Sequence, residues 1–468
     1  MQDRPDSTVI GSQNNRLYPW FIAVFAAIAL MVSNGQTISG LSVYDVEFIN
    51  EFGWSRGEIK LRDMVTLLLA GLAAPFVGVL LDRYGVRRCM LAGWAVLILS
   101  YFAYSRLGSL AGLYLIHAAF ALVLVVCGLN AAVILVSKWF IRYRGTAIGI
   151  ALMGTSMGGI VFPQYGTAMI GLLDWRGAFA WGSLFPAVLL LITWFAVREA
   201  PPPVRPAANA GAAGGAPESD TDDAAGAAAD ADARSSTVAG ASGAATDFPA
   251  GGNPLAGREP PPGGDGVSFA TALRSPTFWA LAVIAMTTFY TVLGVQAHIF
   301  LYMSDAQFDA RTATNAVSLF FFCALVGKFA FGLVSDFLDP RKVFFGNILV
   351  MLIGSLILVR MDIALIWIAV VTFGLGWGGV YTVLQLTVMN TFGTRDAGKI
   401  LGTITVLDAT GGGLGIWLTG VIYDATGSYE TPFLIFAALI LTALAALTRV
   451  RPLAAHTDPA PGTAGPAS

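Results

Sequence analysis

The sequence predicts an all-α membrane protein with twelve transmembrane helices in two six-helix pseudo-repeats. Three observations point to it. First, 56% of the 468 residues are hydrophobic and 12% are charged, about half the charge of an ordinary soluble domain, so a single soluble core could not hide the apolar side chains. Second, the apolar residues gather into twelve runs of membrane-crossing length. Third, positions in the first half recur in the second at a nearly constant spacing.

Crossing the hydrocarbon layer takes about 20 mostly apolar residues, and with no water to satisfy the backbone they must be helical. Such runs fall at 19–44, 62–82, 89–106, 109–137, 145–172 and 177–197, then at 277–303, 312–336, 342–359, 363–390, 398–423 and 431–448. Residues 1–15 are polar and the first run is long, so it is expected to stay in the protein as a helix, unlike a cleaved leader. The chain therefore divides into a tail (1–18), a first bundle (19–198), a linker (199–266), a second bundle (267–449) and a second tail (450–468). The linker is built of Ala, Gly, Pro, Ser and Asp, which bury too little surface to offset chain entropy, and is expected to be flexible and cytoplasmic. Its acidic group Asp220, Asp222 and Asp223 reads as a solvated spacer or as a dock for a regulator.

An even number of spans puts both termini on one face. Counting Lys and Arg in the short loops and tails, the terminal face carries 14 and the opposite face 7, the latter including Arg56, Lys60 and Arg62. Both termini are thus expected in the cytoplasm, with the chain in the cell's inner (plasma) membrane. A net charge of -2 and a pI near 5.9 leave no basic excess for phosphates, which excludes nucleic acid as an expected partner. Cys89, Cys127 and Cys323 lie in or beside apolar runs and are odd in number, as expected of packing residues.

The two halves echo each other. Gly78, Asp82 and Arg88 correspond to Gly332, Asp336 and Lys342 at an offset of 254; Gly145 matches Gly398 at 253, and Phe179 matches Phe433 at 254. Such a parallel repeat places a binding site between the halves near mid-membrane.

The loop after the second run reads Gly78-Val-Leu-Leu-Asp82-Arg83-Tyr-Gly85-Val-Arg87-Arg88. Gly78 permits close helix contact, Asp82 can pair with an arginine or a helix N-terminus, and Gly85 allows a tight turn. Alone, this could be a basic loop that only sets topology. With its echo through Asp336 it resembles the G-x-x-x-D-R-x-G-x-R-R motif of the major facilitator superfamily, which implies the major facilitator fold, transport by alternating access, and a role for these residues in the conformational switch. The stretch Trp139-Phe140-Ile-Arg142-Tyr-Arg144-Gly145-Thr-Ala147-Ile-Gly149-Ile-Ala151 is similar to a motif of the monocarboxylate transporter family. Phe52-Gly53-Trp54-Ser55-Arg56-Gly57-Glu58-Ile59 resembles the first outer loop of that family's bacterial members and of oxalate/formate antiporters. Independently, Ser55 and Glu58 form a capping box for the second helix, while Gly145, Gly149, Gly154, Gly158 and Gly159 let the fifth pack closely.

By these spans two residues carry a full charge well inside the membrane, Lys328 in the eighth and Asp408 in the eleventh. Each ionised group costs roughly 2.5–3.5 kcal/mol at mid-depth, so each needs a partner or a wet cavity. At about 1.5 Å per residue, Lys328 lies roughly 12 Å and Asp408 roughly 15 Å from the terminal face. Both are expected on the central cavity, Lys328 attracting an anion and Asp408 pairing with it or taking up a coupling proton; a fixed ion pair locking two helices is the alternative. The resemblance implies an acid and an arginine one turn apart in the eighth span. Here those positions are Ala324 and Lys328, and a lysine expected in the eleventh span of oxalate/formate antiporters is Asp408, which argues against a dicarboxylate. Gln36, Asn130, Tyr381 and Gln385, on the first, fourth and tenth spans, and His298 near the outer end of the seventh, are candidates for substrate contact or for hydrogen bonds between helices.

Gly393 to Ile400 superficially matches a phosphate loop, but has Ile where Mg²⁺ needs Ser or Thr. Gly374, Gly376 and Gly379 fall inside a membrane helix. No nucleophile–base pair or paired-histidine metal site is evident, so an enzyme, a cofactor and a metal are not expected. The expectation is a monomeric secondary transporter of a small organic anion such as a monocarboxylate, coupled to protons. The alternatives are a carrier of a neutral or cationic solute held by Asp408, including efflux, and a solute sensor on the same scaffold.

Overall fold

Among the described residues, eleven helices are long and apolar enough to cross a membrane; a further one, Arg56–Tyr84, is bent by 69° around Pro75 and completes twelve. A proline removes a backbone donor, which is where such bends arise. The computed structural model describes residues 10–140, 143–199, 266–393 and 395–451. The expected tails lie largely, and the linker apart from its ends, outside the described residues, as do Asp220, Asp222 and Asp223. The spans are Leu17–Phe52, Arg56–Tyr84, Val86–Tyr104, Leu110–Trp139, Arg144–Leu172 and Trp175–Phe195, then Pro276–Asp305, Ala310–Phe337, Pro340–Val359, Ile363–Phe392, Ala397–Thr426 and Glu430–Leu447. They form two lobes of six. Within each lobe the first and fifth, and the second and fourth, spans pack together, and the lobes meet along the second and eleventh and along the fifth and eighth.

Two boundaries differ from the sequence reading. The second span begins at Arg56, six residues before the expected start, because the capping box closes there: the Ser55 hydroxyl accepts the Glu58 N–H at 3.2 Å and the Glu58 carboxylate accepts the Ser55 N–H at 2.9 Å. The first span runs past residue 44 to Phe52. It loosens into a π-turn at Gly35–Ser39, passes through a 3-10 turn at Ser42–Tyr44, and resumes as Asp45–Phe52 until Gly53, at φ 68°, stops it. Gly35 makes the turn possible, since a Cβ there would lie 2.1 Å from the Phe162 ring.

On the fifth span, a Cβ at Gly154 would sit 2.0 Å from the Ala27 carbonyl, and one at Gly158 2.6 Å from that of Met31, so the first and fifth helices touch backbone to backbone. Gly159 abuts the Phe321 ring of the other lobe. Gly149, expected to serve the same purpose, faces open space.

At the end remote from the termini the lobes are laced together. Asp424 accepts the N–H groups of Arg56 and Gly57 at 3.0 and 2.6 Å, and the Arg56 guanidinium bonds Asp305 and the Tyr429 hydroxyl while lying 3.7 Å from the Tyr423 ring centre. Gln164 donates to Asn315 and Ser318, both at 3.0 Å, and Thr167 meets Thr314.

Candidate functional site

Between the lobes lies a cavity of about 250 Å³. Its walls are mostly apolar, with Leu67, Leu124, Phe289, Leu293 and Trp377 prominent, and its few polar groups include Lys328, Asp408, Asn130 and Thr155. Both intramembrane charges read from the sequence therefore sit on one cavity. Lys328 reaches across the lobe boundary: its ammonium donates to Thr155 and Ser156 of the fifth span, each at 3.0 Å, and lies 6.0 Å from the Trp377 ring centre. Asp408 is 5% exposed on the eleventh span. Asn130 reaches the wall because the fourth span breaks at Gly128, between Leu110–Cys127 and Leu129–Trp139.

The remaining candidates are placed elsewhere. Gln36 is buried in the π-turn and donates to the Gly182 carbonyl at 2.8 Å, so it fastens the first span to the sixth. His298 is buried beyond the cavity, its nitrogens 3.1 Å from the Tyr429 hydroxyl and 2.9 Å from the Ile416 carbonyl. Gln385 is buried away from the cavity wall. Tyr381 lies on the tenth span with its side chain outside the described residues.

A second polar centre corrects the expectation that only two charges lie inside. Asp45, Lys60, Arg62 and Asp63 are all at most 5% exposed. Asp45 binds both Lys60, at 2.6 Å, and Arg62; Arg62 Nε lies 3.6 Å from Asp63; and His117 Nδ1 is 4.0 Å from Asp63 and 2.8 Å from the Thr66 hydroxyl. Two acids and two bases balance, which is the condition under which such burial is tolerated. Lys60 and Arg62 are thus not loop charges, and the loop count on the face remote from the termini falls from 7 to 5. One signal in the sequence points here: His117 falls inside the fourth apolar run.

The basic loop also departs from expectation. Asp82 is exposed and makes no ion pair among the described residues, as does its counterpart Asp336. The carboxylate that caps the third helix is Glu199, which follows the sixth span: it accepts the Val86 N–H and the Lys138 ammonium, both at 2.9 Å. Burial pushes its pKa up, but those two hydrogen bonds together with the positive charges of Lys138 and Arg88 outweigh burial and hold it below the usual carboxylate range. Gly85, at φ 83°, makes room for Glu199, and Arg87 bonds the carbonyls of Thr193 and Trp194. The loop is thereby clamped to the end of the sixth span.

A family model described as Major Facilitator Superfamily matches residues 20–415 and, in a second alignment, 299–468. Among curated proteins, the chain is 30% identical over 139 residues to a fujikurins efflux protein of Gibberella fujikuroi, covering 30% of this chain and 29% of that one. It is 27% identical over 163 residues to human monocarboxylate transporter 6, covering 34% and 32%. To the riboflavin transporter RibJ of Trypanosoma brucei brucei it is 29% identical over 147 residues, covering 31% and 26%. The chain thus spans about a third or less of the length of these relatives. In fold it superposes, with a TM-score of 0.63 and 16% identity over 94% of this chain and 95% of the other, on a bacterial homolog of the human lysosomal transporter Spinster in an inward-facing, unoccupied conformation.

Proposed function

The chain belongs to the major facilitator superfamily, and from that premise we propose that this multi-pass membrane transporter moves small organic monocarboxylates together with protons, by alternating access. The observation that carries the reading is the Lys328 ammonium, which stands in an apolar cavity between lobes and is oriented by two hydroxyls of the opposite lobe. In a water-poor site an ammonium and a carboxylate attract far more strongly than in solvent, and the apolar walls accept the organic remainder of the substrate. Because the Lys328 contacts cross the lobe boundary, a carboxylate that takes over the ammonium also changes what holds the lobes together. Asp408, on the same cavity, balances the lysine or carries the proton. The matches to monocarboxylate transporters support the substrate class.

Alternation is supported by the asymmetry of the lobe contacts. The end remote from the termini is laced shut by Asp424, Arg56 and their neighbours, so we read the cavity as opening toward the terminal face. With 14 basic residues on that face against 5, it is the cytoplasmic side of the inner membrane. Each chain carries both lobes of the cavity and works as a monomer. Asp82 and Asp336, exposed here, are the groups that engage when the terminal face closes.

A second reading rests on Asp408: a buried acid on a mainly apolar wall suits a neutral or cationic organic solute, and an efflux protein and riboflavin transporters are among the relatives. Uptake into proteoliposomes of labelled lactate and mandelate, with oxalate and an organic cation in parallel, separates the two. Lys328→Ala is expected to weaken carboxylate uptake by about 10- to 150-fold, the worth of one hydrogen bond to a charged group. Carboxylate uptake unchanged in both Lys328→Ala and Asp408→Asn removes the first reading. Ligand binding without accumulation or exchange marks a sensor.

A further inference from the structure

The buried centre of Asp45, Lys60, Arg62 and Asp63 has no part in the substrate chemistry above, yet it opens toward the cavity. A recess with room for about one water is bordered by Ser42, Lys60, Asp63 and Ala297, and Ile38, Ser39 and Gln296 line both it and the main cavity. Three buried polar atoms beside it make no hydrogen bond among the described residues: Asp63 Oδ1, Gln296 Oε1 and Ser42 Oγ. Asp63, Gln296 and Ser42 are each at most 6% exposed. Buried polar atoms left without partners are rare, and three around one small recess mark a place built to receive a polar guest.

We propose that Asp63 is the group that takes up the coupled proton, reached from the substrate cavity through this recess. The inference rests on the transport reading above and assigns the coupled proton to Asp63, leaving Asp408 to balance the lysine. Of the two acids, Asp45 is held directly by two cations, Lys60 and Arg62. Among the described residues the nearest cation to Asp63 is the Arg62 Nε at 3.6 Å, a looser hold than the two direct pairs of Asp45. Protonation there removes a poorly paired buried charge, whereas protonation of Asp45 would strand two cations. A hydronium ion in the cavity gives up the proton: its O–H bond breaks as the O–H bond to the Asp63 carboxylate forms, and a neutral water is left behind.

The groups facing Asp63 are Asp45 from the first span, Lys60 and Arg62 from the second, Tyr104 from the third and His117 from the fourth. The seventh span brings His298, which lies beyond Lys60 and is bonded to Tyr429 and Ile416, and the eleventh brings the apolar Ile416. The effect reaches the lobes through Lys60. Its ammonium donates to the Ala297 carbonyl of the second lobe at 2.6 Å. With Asp63 ionised the four charges cancel; with Asp63 protonated one net positive charge remains, and Lys60 holds Asp45 and Ala297 in a changed field. Lys60 thus belongs to the charge cluster around the proton site and makes a contact between the lobes.

The test uses the full-length protein in proteoliposomes with labelled lactate and mandelate, corrected for protein-free vesicles, comparing exchange at equal pH with accumulation under an inward gradient of one pH unit. The wild type is expected to exchange and to accumulate about tenfold, the ratio one unit of proton gradient supports. Asp63→Asn is expected to retain exchange, though slower, and to lose accumulation. If the wild type neither exchanges nor accumulates, the carboxylate reading fails. If it exchanges without accumulating, or if Asp63→Asn accumulates as the wild type does, this inference alone fails. Should Asp63→Asn abolish both, Asp63→Glu decides: accumulation restored with a shifted pH dependence supports the proposal, and restoration with the wild-type pH dependence, or none, overturns it.

Discussion

Replacing Asp424 by Ala removes the carboxylate that accepts the N–H groups of Arg56 and Gly57 at the start of the second span, across the lobe boundary. Each bond is charge-assisted but Asp424 is exposed, so each contributes about 0.5–1 kcal/mol after allowance for solvent and salt. The negative charge at a helix N-terminus is included in that figure. The closed end should therefore lose about 1–2 kcal/mol, a factor of about 5–30 in the ratio of closed to open lobes. An open population of one part in a hundred would rise to between about one in twenty and one in four. Spin labels at Gly108→Cys and Arg360→Cys, in loops of different lobes at that same end, would report it by pulsed electron resonance as a longer-distance population. The reasoning is refuted if the distance distribution of Asp424→Ala superposes on that of the parent, or if the longer population shrinks.

Three further outcomes are expected. Asp45→Asn leaves both Lys60 and Arg62 without their direct carboxylate partner and should destabilise the protein by about 3–5 kcal/mol, read as a large fall in the melting temperature in detergent; an unchanged melting temperature contradicts the ion-pair assignment. Gly154→Ala drives a methyl into the Ala27 carbonyl and should cost about 1–3 kcal/mol, whereas Gly149→Ala, with nothing within 4 Å, should be neutral; equal melting temperatures for the two variants count against the packing. Asp396 accepts the Phe269 N–H at 2.8 Å and the Lys399 ammonium, and these bonds hold its pKa below the ordinary 3.8. Its hold on the short helix Phe269–Arg274 is therefore complete above that ordinary value and is lost only as pH falls through the lower folded value. Amide exchange over residues 267–274 should accelerate in Asp396→Asn at neutral pH, and protection that disappears from the parent already at pH 5 would show the sign to be wrong.

Much of the fold was legible because the bilayer imposes length and apolarity on every crossing, and both are local properties of a sequence. Lys328 and Asp408 were legible for a related reason: an isolated charge within an apolar run stands out, and helical rise gave both a similar depth. Asp45, Lys60, Arg62 and Asp63 were hidden because their charges compensate one another only after folding, and because they straddle a boundary that hydropathy takes for a loop. The capping box Ser55–Glu58 was visible, yet its consequence, that the helix starts at Arg56 and carries Lys60 and Arg62 inside, follows only when the cap is given precedence over the apolar run. Glu199 was not legible as the cap of the third helix, since it lies 113 residues from Val86 and no local pattern joins them. The π-turn left no mark beyond Gly35 and Gly40, whose closeness to Phe162 is a tertiary fact.

Each end of the connector between the lobes is pinned to its own lobe: Glu199 to Val86 and Lys138 in the first, Val267 to the Phe392 carbonyl in the second. Between these anchors the sequence continues through residues 200–265, a tether that joins the two lobes in one chain. Among the described residues the lobes meet along the lateral seams of the second with the eleventh span and the fifth with the eighth. Severed within that tether, the two polypeptides retain every contact described here and have what they need to dock as separate chains.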